Sequence, residues 1–244
     1  EVVVGLDAAE LERLAQAAAE KVSLWNLAAV VAQGADAGTT VATTLWAAHA
    51  AGLDVFATGG IGGVHDAPFD ESADLAALAR YPVLTVCAGP KSILDAAATL
   101  ERLETAGVPV VGYRSDRLAG FLVTLTEHRL PARVDSPDAA AAVLLAQREL
   151  GLSSGVVLSN PVSSGLEPEE FAALRERAEA ALRGRGVRGR DATPFLLAEL
   201  AAISGGRTVD VNTRLLEENA ALAARVAAAY RRLAQAAAPH GVSA

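Results

Sequence analysis

Between Asp54 and Gly112, three short apolar runs alternate with two helix-forming segments. Asp54-Val55-Phe56-Ala57, Pro82 to Cys87 and Pro109 to Gly112 read as buried strands, bounded by glycine and proline. Ser72 is placed to cap a helix running through Arg80, and Lys91 to Ala106 reads as a second helix closed by Gly107. Strands separated by helices cannot pair as hairpins. They return by crossovers and lie parallel, with helices covering both faces of the sheet. The expected class is therefore α/β, with three layers (α/β/α) and a largely parallel central sheet.

The flanking sequence extends this alternation. Val2 to Val4 reads as an opening strand, followed by a helix over about 8–20 with Asp7 and Glu10 as a capping box. Thr39 to Ala50 is helix-compatible and stops at Gly52. Ser136-Pro137 opens a helix through Leu150, Gly155 to Leu158 reads as a strand, and Pro168 to Arg183 as a helix. A basic linker, Arg185 to Arg190, precedes two closing helices over about 194–202 and 209–237. No repeat interrupts the chain, and residues 1–244 are expected to form one domain.

Charge and cysteine content narrow the function. A net charge of -8 argues against a nucleic-acid binder, which must neutralise phosphates with basic residues. The single cysteine, Cys87, allows no internal disulfide, and no Cys/His cluster has zinc spacing. There is no run of 18 uninterrupted apolar residues, so a soluble, cytoplasmic protein acting on a small substrate is expected.

Of 21 basic residues, only Lys21 and Lys91 are lysines. Lysine can supply what arginine cannot, a neutral primary amine able to add to a carbonyl and form a Schiff base. Two lysines left on the surface by chance is the alternative. Lys91 follows Cys87-Ala88-Gly89-Pro90 at the carboxyl end of an expected strand, where open α/β sheets bind ligands. Thr58-Gly59-Gly60-Ile61-Gly62-Gly63 occupies another strand end, and its four glycines permit close backbone approach and positive φ. The spacing matches neither a P-loop nor a dinucleotide fingerprint. His65 is either a phosphate contact or an ordinary loop histidine. Asp70, Glu71 and Asp74 either hold a hard cation or favour the amino end of the next helix.

Three runs carry a resemblance: Phe56 to His65, Phe69-Asp70-Glu71-Ser72-Ala73-Asp74-Leu75, and Val86-Cys87-Ala88-Gly89-Pro90-Lys91-Ser92-Ile93-Leu94-Asp95. With Leu103 to Tyr113, Asn160-Pro161, Thr193 to Leu197 and Asn212 to Ala220, they make the chain similar to the pseudouridine-5'-phosphate glycosidase family, also called indigoidine synthase A-like. The resemblance implies cleavage of pseudouridine 5'-phosphate to uracil and ribose 5-phosphate, with Lys91 as covalent nucleophile. It also implies one manganese ion per chain held by Asp70, and substrate contacts from Lys21, Val41, Ser72, Ala73 and Asp74. Thr58, His65 and Asn212 are implied near the ribose phosphate, and the assembly is implied to be a homotrimer.

There are departures from the pattern. The segment between His65 and Asp70 is short, Asp66 stands where a basic residue is usual, and Gly89-Pro90 replaces a glycine-alanine pair. The family's amino-terminal segment, with its Glu-Ser-Thr motif and proton-donor glutamate, has no counterpart, and the chain begins at Glu1, so it reads as a fragment. A truncated ribose-5-phosphate-binding domain and a Schiff-base aldolase on another sugar phosphate are the alternative functions.

Overall fold

In the computed structural model, which describes residues 1–17, 19–65, 70–187 and 192–237, Val2, Val3 and Val4 are exposed and form no strand. Apolar β-branched residues favour a strand only when a neighbour accepts their backbone bonds, and none of the described strands pairs with them. Helix α1 (Ala8–Gln16) keeps the expected capping box: Glu10 donates its N–H to Asp7, and Asp7 donates its N–H to Glu10. It ends before residue 20 because β1 (Glu20–Val22) begins there.

Beyond α2 (Leu27–Gln33), β2 (Ala37–Thr39) pairs in parallel with β1, and Lys21 lies opposite Gly38. Helix α3 (Val41–Ala50) starts at Thr40, whose hydroxyl accepts from the Thr43 N–H. The expected alternation then appears as β3 (Val55–Ala57), α4 (Ala73–Arg80), β4 (Leu84–Cys87), α5 (Ala96–Thr105) and β5 (Val110–Tyr113). An antiparallel hairpin, β6 (Arg117–Gly120) and β7 (Val123–Arg129), interrupts it before β8 (Ala132–Val134). Next come α6 (Pro137–Glu149), β9 (Val156–Ser159), α7 (Pro168–Arg185), α8 (Ala192–Ile203) and α9 (Arg207–Ala237). Part of the expected basic linker, residues 188–190, lies outside the described residues.

The central sheet has the order β3-β4-β9-β5-β8, and every pairing is parallel. Alternate side chains point to opposite layers. Leu84, Val86, Val111, Val156 and Leu158 pack with Ala140 and Leu144 of α6 and with Leu222 and Val226 of α9. Cys87, Val110 and Val157 pack with Leu45 of α3, Leu78 of α4 and Leu103 of α5. With both faces covered, the inner strands β4, β9 and β5 are buried along their whole length and do not alternate between apolar and exposed polar residues. Each fully buried leucine among them contributes about 2 kcal/mol of transfer free energy. A third cluster, including Ala88, Ile93, Leu94, Phe121, Leu174, Leu200 and Leu215, gathers residues just beyond β4 with α7, α8 and the start of α9. No helix among the described residues is long and apolar enough to cross a membrane.

Lys91 does not open a helix, as the sequence had suggested. Residues 91–94 form a turn, in which Leu94 donates to the Lys91 carbonyl, and α5 begins only at Ala96 with Asp95 as its cap. The segment cannot wind earlier because the Lys91 N–H donates to the Ile61 carbonyl and the Asp95 N–H to that of Val64.

Candidate active site

The loops after β3 and β4 continue the pairing of their strands. Thr58 donates to Val86 O, Ala88 to Gly59 O, Ile61 to Gly89 O and Lys91 to Ile61 O, at 2.8 to 3.1 Å. This zipper fixes Lys91 at the carboxyl end of the sheet.

The glycines are needed for closeness, not for positive φ: Gly59, Gly60, Gly62 and Gly63 all lie outside the left-handed region. A Cβ on Gly62 would lie 2.1 Å from Ser72 Oγ, and one on Gly63 would lie 2.3 Å from Thr99 Oγ1. A Cβ on Gly60 would meet the Phe121 ring at 2.7 Å. Gly59 faces α9, with Asn212 Oδ1 3.4 Å and Leu215 Cδ1 3.1 Å from where its Cβ would stand. The loop is thus pressed between helices and the hairpin, with the Asn212 amide at its edge.

Asp74 is the electrostatic centre of this arrangement. It is buried, and its carboxylate accepts from the Gly62 N–H at 2.7 Å and from the Ala42 N–H, in the first turn of α3, at 2.9 Å. Ser72 caps α4 by accepting the Asp74 N–H. One carboxylate therefore ties the glycine loop to the start of α3, where Val41 sits, and α3 is joined in turn to the strand that carries Lys21 by the Thr43 hydroxyl, which donates to the Val22 carbonyl. The half-buried Lys91 amine feels all of them. Burial pushes its pKa below the ordinary lysine value, Asp74 pulls it back up, and the positive charge of Lys21 pushes it down further. A neutral amine is thereby made more available than in a free lysine.

The other expected residues divide into two groups. Val41, Thr58, Ser72, Ala73, Asp74, Lys91 and Asn212 border the two loops or the helix starts bonded to them, and Lys21 on β1 is near enough for its charge to act on Lys91. His65 is turned to α8, with Nε2 3.5 Å from the Thr193 hydroxyl, and its N–H donates to the Asp70 carbonyl. Asp66 lies outside the described residues. Of the three expected acids, Glu71 pairs with Arg102 and Asp74 is committed to backbone amides, while Asp70 stands at the edge of the described residues and accepts the His65 N–H at its backbone carbonyl. Among the described residues no group of three or more His, Cys, Asp or Glu side chains is placed to hold a metal ion. Such a donor set suits only a hard ion that keeps most of its positions for water or substrate oxygens.

Asn219, which is not among the site residues expected from the sequence, also holds the glycine loop. It is fully buried on α9, donates its amide to the carbonyls of Thr58 and Gly59, and accepts from Asn160. Its signal was present: Leu215, Asn219, Leu222 and Val226 form a helical stripe in which one polar residue interrupts the apolar face.

A family model described as "Indigoidine synthase A like protein" matches residues 1–229. The chain belongs to the indigoidine synthase A-like family. It is 58% identical over 229 residues to a pseudouridine-5'-phosphate glycosidase of Thermus thermophilus, covering 94% of this chain and 81% of that one. It is 50% identical to the enzyme of the same name from Gemmatimonas aurantiaca, covering 93% and 75%. Among solved structures, the prealnumycin C-glycosynthase AlnA in complex with ribulose 5-phosphate superposes with a TM-score of 0.89 at 34% identity, covering 95% of this chain and 78% of that one. An indigoidine synthase A-like protein from Thermotoga maritima superposes at 0.85, also at 34% identity, covering 91% and 75%. The α/β fold expected from the sequence is therefore the fold of this family.

Proposed function

We propose that the chain catalyses reversible cleavage of the carbon–carbon glycosidic bond of pseudouridine 5'-phosphate, giving uracil and ribose 5-phosphate, with Lys91 as covalent nucleophile. The observation that carries this reading is the half-buried Lys91 amine at the carboxyl end of β4, under the influence of Asp74 and Lys21. The relatives' activity supports the substrate. Ribulose 5-phosphate, the ligand of AlnA, cannot close a five-membered ring through its esterified C5 oxygen, so it is an open-chain pentose phosphate of the kind this chemistry requires.

Two carboxylates, as in ordinary glycoside hydrolysis, are insufficient here because the leaving atom is a carbon. The neutral Lys91 amine adds to C1′ as the bond from C1′ to the ring oxygen breaks, and the proton shed by nitrogen ends on that oxygen. The electron pair of the bond between C1′ and the base passes to uracil, whose carbon takes a proton, while the nitrogen lone pair forms an iminium at C1′. Water adds to the iminium and expels the amine, leaving the sugar aldehyde. Asp74 holds the loops in register, and Lys21 offers charge to the phosphate. Val41, Thr58, His65, Ser72, Ala73 and Asn212 are proposed around the substrate.

Incubation with pseudouridine 5'-phosphate should release uracil and ribose 5-phosphate in equal amounts, separated by chromatography. Binding of the substrate without release of uracil at any protein concentration would instead identify a binding domain. Cleavage of a different sugar phosphate alone would identify an aldolase.

Asp70 is proposed to hold one manganese ion per chain, which would offset the charge of the substrate's oxygens when bound. Asp70→Asn should weaken manganese binding about tenfold or more by calorimetry, and equal affinity would reject the assignment. The homotrimer implied by the family resemblance is likewise proposed, and the apolar side chains left on the surface, Trp25 at 78% exposure foremost among them, support burial between copies of the chain. Light scattering at micromolar concentration should give three times the 24.9 kDa chain mass, and a monomer would count against it.

A further inference from the structure

The turn between β6 and β7 lies directly against the segment that carries Lys91. Ser92 donates its hydroxyl to the Gly120 carbonyl at 2.9 Å and accepts the Leu122 N–H at 3.0 Å. Between these two contacts, Phe121 donates its N–H to the Ala88 carbonyl at 2.9 Å. Phe121 has φ +63°, a left-handed conformation that a bulky residue adopts only when its surroundings impose it. Its ring fills the space in front of Gly60, so the same turn grips both loops of the site. The approach is equally close at Gly89, with φ +81°, where a Cβ would stand 2.2 Å from the Ala119 carbonyl oxygen. The hairpin is itself anchored to the sheet, because Ala119 donates its N–H to the Ser159 hydroxyl at the end of β9.

Packing does not hold this segment on every side. A cavity of about 380 Å³, lined in part by Lys91, Ser92, Gly120, His128 and Arg175, opens beside it. Where side-chain packing is interrupted, specific hydrogen bonds decide the position of the backbone. A displacement of about 1 Å at a reacting group is enough to cost roughly a hundredfold in rate.

We propose that Ser92 is a positioning residue for Lys91: its hydroxyl, clasped between Gly120 and Leu122, fixes the backbone from which the nucleophilic amine extends. The proposal rests on the reading of Lys91 as an imine-forming residue. Both hydrogen bonds of the Ser92 hydroxyl go to the hairpin backbone, so its role is assigned through Lys91.

The test follows the rate of borohydride-trapped adduct as a function of ribose 5-phosphate concentration, in wild type, Ser92→Ala, Ser92→Cys and Ser92→Thr. Ser92→Ala should lower the maximal trapping rate about tenfold or more, with the half-saturating sugar concentration changed less than about twofold. Ser92→Thr retains the hydroxyl and should recover most of the rate. Ser92→Cys, of similar size but a weaker hydrogen-bonding group, should fall between them and keeps the test decisive if the alanine variant fails to fold. Wild-type rates in Ser92→Ala or Ser92→Cys, or a loss that appears only as weaker sugar binding, would overturn the assignment. An absence of adduct in wild type would instead remove the underlying reading of Lys91, and the proposal with it.

Discussion

Exchange of Lys91 for arginine is expected to lower turnover of pseudouridine 5'-phosphate by about four orders of magnitude or more, measured as uracil released under saturating substrate. Arginine preserves the positive charge, so electrostatic attraction of the phosphate should survive and substrate binding should change little. What is lost is the nucleophile, because a guanidinium stays protonated at any pH the protein tolerates. The only other lysine, Lys21, is exposed on β1. A companion variant, Lys91→Met, should melt no lower than the wild type. Burial disfavours the charged form of this amine, so the fold gains nothing from it that an apolar side chain of similar length would not supply. Inactivity combined with undiminished stability would mark Lys91 as a residue kept for chemistry. A parallel loss of both would assign it a structural role.

Asp74→Ala should produce the largest loss of stability among the site residues, about 3 kcal/mol by denaturant titration. Two N–H groups, the buried one of Ala42 and the part-buried one of Gly62, lose a charged acceptor at once. The same variant should change the pH dependence in a direction fixed by the charges. Asp74 raises the Lys91 pKa against the opposing effects of burial and Lys21, so its removal lets that pKa fall further. Imine formation needs the neutral amine and increases as pH rises through the Lys91 pKa. The rising limb of the trapping rate should therefore move to lower pH in Asp74→Ala, and a shift to higher pH would contradict the electrostatic account.

How far the sequence predicts the site depends on the range of the interaction involved. The strands Leu84–Cys87 and Val156–Ser159 were legible because burial on both faces makes each a largely apolar run, and the half-buried edge strand Val55–Ala57 because its short apolar run is bounded by glycines. Helix α4 was legible to the residue, since its Ser72 cap is a local hydrogen bond. Lys91 stood out because arginine fills almost every other basic position. The strands Glu20–Val22 and Ala37–Thr39 were not legible, since three residues are too few to show a period. The β6–β7 hairpin was missed because its turn lacks an Asn-Gly or Asp-Gly signal, and its tip residue Phe121 takes up a positive φ that only contact with Gly60 and Ala88 explains. Of the two uses read for the glycine loop, close backbone approach holds and positive φ does not. Its residues need the absence of a Cβ, and that need is set by Ser72, Thr99 and Phe121, which are distant in sequence.

Reductive trapping tests the central claim most directly, because imine formation from a sugar aldehyde requires only the amine and the sugar. The protein, incubated with ribose 5-phosphate and borohydride and then digested, should carry one sugar phosphate per chain on the peptide containing Lys91. Lys91→Arg should carry none. Labelling at Lys21, or no labelling in a folded protein that still binds the sugar phosphate, would contradict the assignment of Lys91 as the nucleophile.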